Sequence, residues 1–173
     1  MSDDASASAL PNDDQDKQVS PRFPLHVVLY QPEIPQNAGN IARTCVAVGA
    51  KLWMVRPLGF RLTDRYLRRA GLDYWQHLHL ELVDNWSTLT RHLADRPMWL
   101  FSRHAHQYYT DVYYQQGGVM VFGGETQGLP AGVREAGEGV RIPTTENVRS
   151  LNLANSVAIA VYEAVRQLQL PLG

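Results

Sequence analysis

The chain holds one cysteine, Cys45, and two lysines, Lys17 and Lys51, against fourteen arginines. A single thiol excludes an internal disulfide framework and fits a reducing, cytoplasmic setting. Cys45 falls in an apolar helical pattern, so it reads as core and not as a nucleophile. No apolar run approaches the ~20 residues a membrane-crossing helix needs, so no membrane association is expected. The N-terminus carries Asp3 and Asp4 and no apolar segment, which excludes a signal peptide from the reading. A strand followed by GxGxxG is missing, and so is a Gly-Lys-Ser/Thr phosphate loop. His77/His79 and His104/His106 could each put two imidazoles on one strand face. Neither pair has a third ligand at zinc-site spacing, so no metal is expected. There is no internal repeat.

What remains is the composition of one globular domain. At 173 residues the chain can bury a sizeable core. Residues 1–22 are rich in Ser, Ala, Asp, Pro and Gln and read as a disordered acidic tail, leaving 23–173 as the domain. The formal net charge of -1 hides an uneven distribution. Between residues 41 and 72 stand Arg43, Lys51, Arg56, Arg61, Arg65, Arg68 and Arg69, opposed by Asp64 alone. Such a stretch is a polyanion footprint or an ordinary solvated surface; charge alone leaves both open.

Periodicity alternates strands with helices. Strands are expected at 25–30, 51–56, 78–83, 98–102 and 119–122. Helices are expected at 37–49, where Gly49 is a stop signal, at 63–69 and at 86–94. Residues 31–36, with two prolines, read as a loop, and 108–116 give no clear signal. From Ser150 onward Leu153, Val157, Val161, Val165 and Leu168 recur at helical steps, with Ser150 or Asn152 as the cap. Asn152, Asn155 and Tyr162 are polar groups on that otherwise largely apolar helix and need partners if buried. The pattern describes an α/β fold with a mostly parallel sheet, helices on both faces, and ligands at the carboxyl ends of the strands.

Three stretches carry chemistry. Asn37-Ala-Gly-Asn40-Ile-Ala-Arg43 follows the first strand. Asn40 can hydrogen-bond in two directions, and the Arg43 guanidinium suits phosphate. Phe122-Gly123-Gly124-Glu125-Thr126-Gln127-Gly128-Leu129 turns a buried strand into a glycine loop whose backbone can meet a ligand. Ile142-Pro143 is followed by Arg149-Ser150-Leu151-Asn152. Taken singly, these are a capped helix, a plain turn and a core helix.

In order and spacing the three resemble the signature motifs of the SPOUT class of RNA ribose methyltransferases. LYQPEIPQNAGNIART, GFRLTDRYLRRAGLDYW and RSLNLANSVAIAVYEAVRQL are similar to its compact YibK-type subfamily, the tRNA wobble cytidine/uridine 2′-O-methyltransferases. The resemblance spans about residues 25–170. It implies a C-terminal segment threaded into a deep trefoil knot, a homodimer, a tRNA substrate and S-adenosylmethionine as cofactor. It implies cofactor contacts near Arg103, at Gly123 and the Glu125 loop, and at Ile142, Ser150 and Leu151. Arg43 matches the essential arginine of that class, with Asn40 holding Arg43 or the ribose. Arg149, Ser150 and Asn152 would order the cofactor and substrate loop, Asn152 on the substrate side. Tyr162 would contact substrate or support the knot. Arg65, Arg68 and Arg69 would hold the tRNA backbone. Gly124 stands where relatives often have proline, and the run from Arg103 to His106 replaces a Thr/Ser-rich one. The rival readings are ribose methylation at another tRNA or rRNA position, and a knotted RNA-binding module without turnover.

Overall fold

The computed structural model describes residues 22–62 and 74–172. Residues 1–21 of the acidic tail, the expected helix at 63–69, and with it Arg65, Arg68 and Arg69, lie outside the described residues. Among them the elements run β1 (Leu25–Tyr30), α1 (Pro35–Val48), β2 (Lys51–Val55), a 3-10 turn (Trp75–His77), β3 (Leu80–Val83) and α2 (Trp86–His92). They continue with β4 (Met98–Phe101), β5 (Gln107–Tyr108), β6 (Gly118–Gly123), α3 (Ala131–Arg134), β7 (Glu138–Arg141) and α4 (Leu153–Leu168). The strands form one seven-stranded sheet in the order β3-β2-β1-β6-β4-β7-β5. Every pairing is parallel.

Alternation along the strands explains the layers. On β1, Leu25, Val27 and Leu29 face a cluster with Ala38, Ile41, Ala42 and Cys45 of α1 and Val157, Ala160, Val161 and Ala164 of α4. Val28 faces the other way, with Trp53 and Val55 of β2, Leu89 of α2 and Val133 of α3. Both sheet faces are thus covered, as a parallel sheet demands. Small alanines let α1 and α4 lie close. Burial pushes the Cys45 thiol well above its usual range, which agrees with its reading as inert core.

Two boundaries change the chemistry. α1 starts at Pro35 and not at Asn37: Ile34 is extended, and proline at the first helical position is pre-set for the helix. Asn37 therefore lies within the first turns of the helix and not at its start, and Arg43 sits mid-helix. α4 starts at Leu153, with Asn152 and not Ser150 as its cap. β7 covers Glu138–Arg141, so Ile142 opens the following loop.

An unusual crossing lies at the far end of the sheet. Phe101 of β4 and Gln107 of β5 both pair with Val140, from opposite sides of β7. Residues 102–106 therefore arch around the carboxyl end of β7, fixed by Ser102 N donating to Val140 O (2.9 Å) and Tyr109 N to Arg141 O (2.9 Å). The connection from β5 to β6 then runs against α4. There the Gln167 amide accepts from Tyr114 N (3.0 Å) and donates to Val112 O (3.1 Å).

At the opposite end of β1, His26 is 5% exposed. Its Nδ1 accepts from Trp53 Nε1 at 3.0 Å, which requires an unprotonated Nδ1. Burial, helped by the cations of Arg96 and Lys51, lowers its pKa to about 4. The unfolded chain, near 6.5, binds the proton more readily. Stability is therefore full above pH ~6.5 and falls as the pH drops toward 4, by up to about 3 kcal/mol. Melting curves of the wild type and of His26→Gln should diverge between pH 7.5 and 4.5, the wild type losing more. Parallel losses would contradict this account of His26.

Candidate active site

β6, β4 and β7 are neighbours in the sheet, with Phe101 opposite both Phe122 and Val140. Their carboxyl ends release three adjacent loops: 102–106 with Arg103, 124–130 with Glu125, and 142–152 with Ile142, Ser150 and Leu151. The three expected cofactor-binding segments therefore converge at one edge of the sheet. Gly123 is fixed by space: a Cβ there would sit 2.1 Å from the Gly128 carbonyl carbon, so the loop folds back on bare backbone. Arg103 is exposed, and its Nε donates to His104 Nε2 at 3.2 Å.

Glu125 ties this edge to α1. Its carboxylate accepts from Glu33 N (2.8 Å), Ile34 N (3.3 Å) and Asn37 Nδ2 (2.8 Å). A carboxylate on amides at a helix start is favoured by both hydrogen bonding and the helix dipole. Asn37 is 6% exposed, and its Oδ1 accepts from Asn152 Nδ2 at 2.9 Å. Asn152 Oδ1 in turn accepts from Ala154 N (2.9 Å) and Asn155 N (3.3 Å), capping α4. One chain of hydrogen bonds, Glu125–Asn37–Asn152, thus joins all three motifs. A second clasp runs the other way: the Glu33 carboxylate accepts from Thr126 N (3.0 Å) and Thr126 Oγ1 (2.5 Å). The Thr126 hydroxyl, then its amide, hold the Glu33 carboxyl below the usual carboxylate range.

These bonds give two expected site residues a positioning role as well. Asn152 is exposed, uses its oxygen and one amide N–H within the protein, and keeps a second N–H. The Glu125 oxygens serve α1, which leaves the backbone of its loop, the part expected at the cofactor, to face a ligand. Sequence reasoning missed Asn37 as the hub, although it opens the first motif, and missed Glu33 and Tyr74.

Arg43 is exposed on α1, with its guanidinium 5.3 Å from the centre of the Tyr74 ring. Tyr74 is buried, and its hydroxyl donates to Gly39 O at 3.0 Å. The ring therefore fixes the guanidinium from one side. Among the described residues no carboxylate pairs with Arg43. Asn40 is exposed one turn away, and its side chain is not bonded to Arg43. Arg149 and Ser150 are exposed in the 142–152 loop. Tyr162 is 49% exposed on α4 and Asn155 is exposed too, so neither needs a buried partner. No group of three metal-ligating side chains gathers among the described residues.

The parallel α/β sheet, with its backbone-lined edge and three interlocked motifs, has neither the glycine fingerprint of a dinucleotide-binding protein nor a P-loop. The chain matches the SpoU rRNA Methylase family over residues 24–162, and it belongs to that family. It is 45% identical over 144 residues to the tRNA (cytidine(34)-2′-O)-methyltransferase of Methylovorus glucosotrophus, covering 82% of this chain and 94% of the relative. The Escherichia coli K12 protein of the same name is 41% identical over 152 residues, covering 85% and 96%. A solved structure described as giving insights into the 2-OH methylation of C/U34 on tRNA superposes with TM-score 0.81 at 46% identity, covering 84% and 96%. The SpoU methyltransferase AviRb from Streptomyces viridochromogenes, in complex with AdoMet, gives TM-score 0.76 at 28% identity, covering 92% of this chain and 63% of that one.

Proposed function

We propose that this protein methylates the ribose 2′-hydroxyl of the wobble nucleotide of tRNA, a cytidine or modified uridine, with S-adenosylmethionine as donor. The observation that carries the reading is the Glu125–Asn37–Asn152 chain, which interlocks three motifs in a family member whose relatives at 45% and 41% identity are named tRNA (cytidine(34)-2′-O)-methyltransferase. The cofactor fits the edge formed by the three loops, where Gly123 leaves backbone groups bare and the committed side chains do not compete. When bound it supplies a methyl group on a positive sulfur, already a strong electrophile. The protein's task is to align the ribose oxygen and provide for its proton.

Arg43 is assigned to the phosphate beside the target ribose. A guanidinium does not deprotonate in proteins, so it is not the base; the phosphate it holds receives the 2′-hydroxyl proton. Asn40 and Arg149 line the same approach, and Tyr162 contacts substrate or supports the C-terminal segment. Residues 102–106 arching around β7, with α4 gripped by the 112–114 segment, support a threaded C-terminal knot. Ile159 and Tyr162, 37% and 49% exposed on α4, support a homodimer through the outer side of that helix. Arg65, Arg68 and Arg69 are assigned to the tRNA backbone, and the protein to the cytoplasm. No described helix is long and apolar enough to cross a membrane.

Incubating unmodified tRNA with labelled cofactor, then digesting and weighing the nucleosides, should yield a 2′-O-methyl pyrimidine from the wobble position. Label at another ribose would keep the reaction and overturn the substrate. If about six arginines meet phosphates, raising salt from ~50 to ~200 mM should weaken tRNA binding by about two to three orders of magnitude. A flat dependence would remove the arginine cluster from the interface.

A further inference from the structure

We infer that a cleft at the carboxyl ends of β1 and β2 receives one nucleobase of the substrate RNA, within one nucleotide of the methylated ribose. The inference rests on RNA being the substrate. The cleft has a volume of about 270 Å³ and lies between the loops that follow β1, β2 and β6. Small-molecule pockets begin near ~300 Å³, so it admits a single ring system and is too small for a cofactor of nucleoside-plus-amino-acid size.

The cleft is pre-formed. Gly59 N donates to Pro32 O at 2.9 Å, and a Cβ on Gly59 would lie 2.7 Å from Glu33 Cα, so these two loops meet backbone to backbone. Gln31 holds a left-handed φ of 51°, which residues other than glycine seldom adopt, with its N–H bonded to Val55 O at 3.0 Å. The Glu33–Thr126 clasp closes the third side. Backbone strain held by surrounding contacts is a feature of ligand sites.

Its lining has the chemistry of base recognition. Tyr30, Pro57 and Leu58 offer flat and apolar walls for stacking. Gln31 and Gln127 line the same space. Gln31 Nε2 makes a long bond of 3.4 Å to Arg56 O, leaving its oxygen available, and no hydrogen bond among the described residues holds the Gln127 amide. Paired donors and acceptors of this kind read base edges. A second hollow of about 310 Å³ shares Leu58 and is lined by Arg56 and Arg61. It offers charge where the attached phosphate would lie. The Arg56–Asp84 contact at 3.5 Å is exposed, so it yields readily to a phosphate. Gly124 lines the cleft while its neighbour Gly123 lies at the proposed methyl-transfer edge, which is why the base belongs to the target nucleotide or its immediate neighbour.

The test is binding of an anticodon stem-loop RNA, followed by fluorescence anisotropy, with abasic substitutions at the wobble nucleotide and at each neighbour. Gln127→Ala should weaken the intact hairpin about 5-fold or more, with cofactor affinity unchanged by calorimetry. At one of the three abasic positions wild type and variant should bind equally weakly, so that Gln127→Ala costs nothing there, while at the other two its penalty should persist. Unchanged hairpin affinity in Gln127→Ala, or an equal extra loss on all three abasic RNAs, would overturn the inference. A wild type that binds the hairpin but never methylates it would overturn the transferase reading while leaving this coupling measurable. Absence of hairpin binding would overturn both.

Discussion

Replacing Arg43 by alanine is expected to lower methyl transfer by about 10²–10³-fold or more, while cofactor affinity stays within about two-fold of wild type. Removing a positioned charge from a transition state has that scale of effect, whereas cofactor contacts come from loops after β4, β6 and β7. Arg43 stands on the exposed side of α1, against the Tyr74 ring, with no carboxylate partner among the described residues. Its charge is therefore available to a substrate anion. Arg43→Lys keeps the charge and loses the planar fork, so it should recover part of the rate, mainly through KM. Tyr74→Phe keeps the ring under the guanidinium while losing the bond to Gly39 O, and should keep transfer near wild type. Rate and cofactor affinity falling together in Arg43→Ala would mean that Arg43 shapes the cofactor edge and not the substrate.

Asn37→Asp is expected to cost about 3 kcal/mol of stability at neutral pH, roughly 6–12 °C in Tm. The substitution changes almost no volume. It removes the Nδ2–H that Glu125 accepts and sets a second carboxylate 2.8 Å from the first, in a site that is 6% exposed. Asn152 Nδ2 keeps an acceptor, so the loss comes from the Glu125 side. Two carboxylates at that distance do not both ionise readily; one takes up a proton, which restores a hydrogen bond between them. The Tm deficit should therefore shrink as pH falls toward 5. Because the chain of bonds reaches the α4 cap, cofactor affinity should fall as well, although Asn37 belongs to α1. A deficit that does not change with pH would show that the Asn37–Glu125 bond is not what holds the motifs together.

Much of the scaffold was legible in the sequence because it is written in local patterns. The apolar runs of β1, β2, β4 and β6 and the helical period of α4 appear within a residue or two of their expected places. The start of α1 was not, because Ile34-Pro35 reads as a loop until the chain around it is seen to use proline as the first helical residue. That shift placed Asn37 inside the helix, where its side chain reaches Glu125. β5 is two residues long and exists only by pairing with β7, so no periodicity could announce it. α3, four residues inside a glycine-rich stretch, is equally silent.

At the site, the motifs identified which residues matter but not what each one does. Asn37 meets partners 88 residues later, at Glu125, and 115 residues later, at Asn152. Such pairings carry no local signature. The resemblance pointed to Glu125 and Asn152. Only the fold shows that their side chains also bond across the motifs. Tyr74 sits 31 residues after Arg43, and its role depends on a cation–π contact that spacing does not reveal.

The central claim is transfer to one ribose oxygen, and a single-atom change in the substrate tests it most directly. Two anticodon stem-loop RNAs would be incubated with labelled S-adenosylmethionine, one natural and one 2′-deoxy at the wobble nucleotide alone. Label entering the natural RNA and absent from the deoxy RNA is the result predicted here. Equal labelling of both would place the methyl group on another atom and contradict the account.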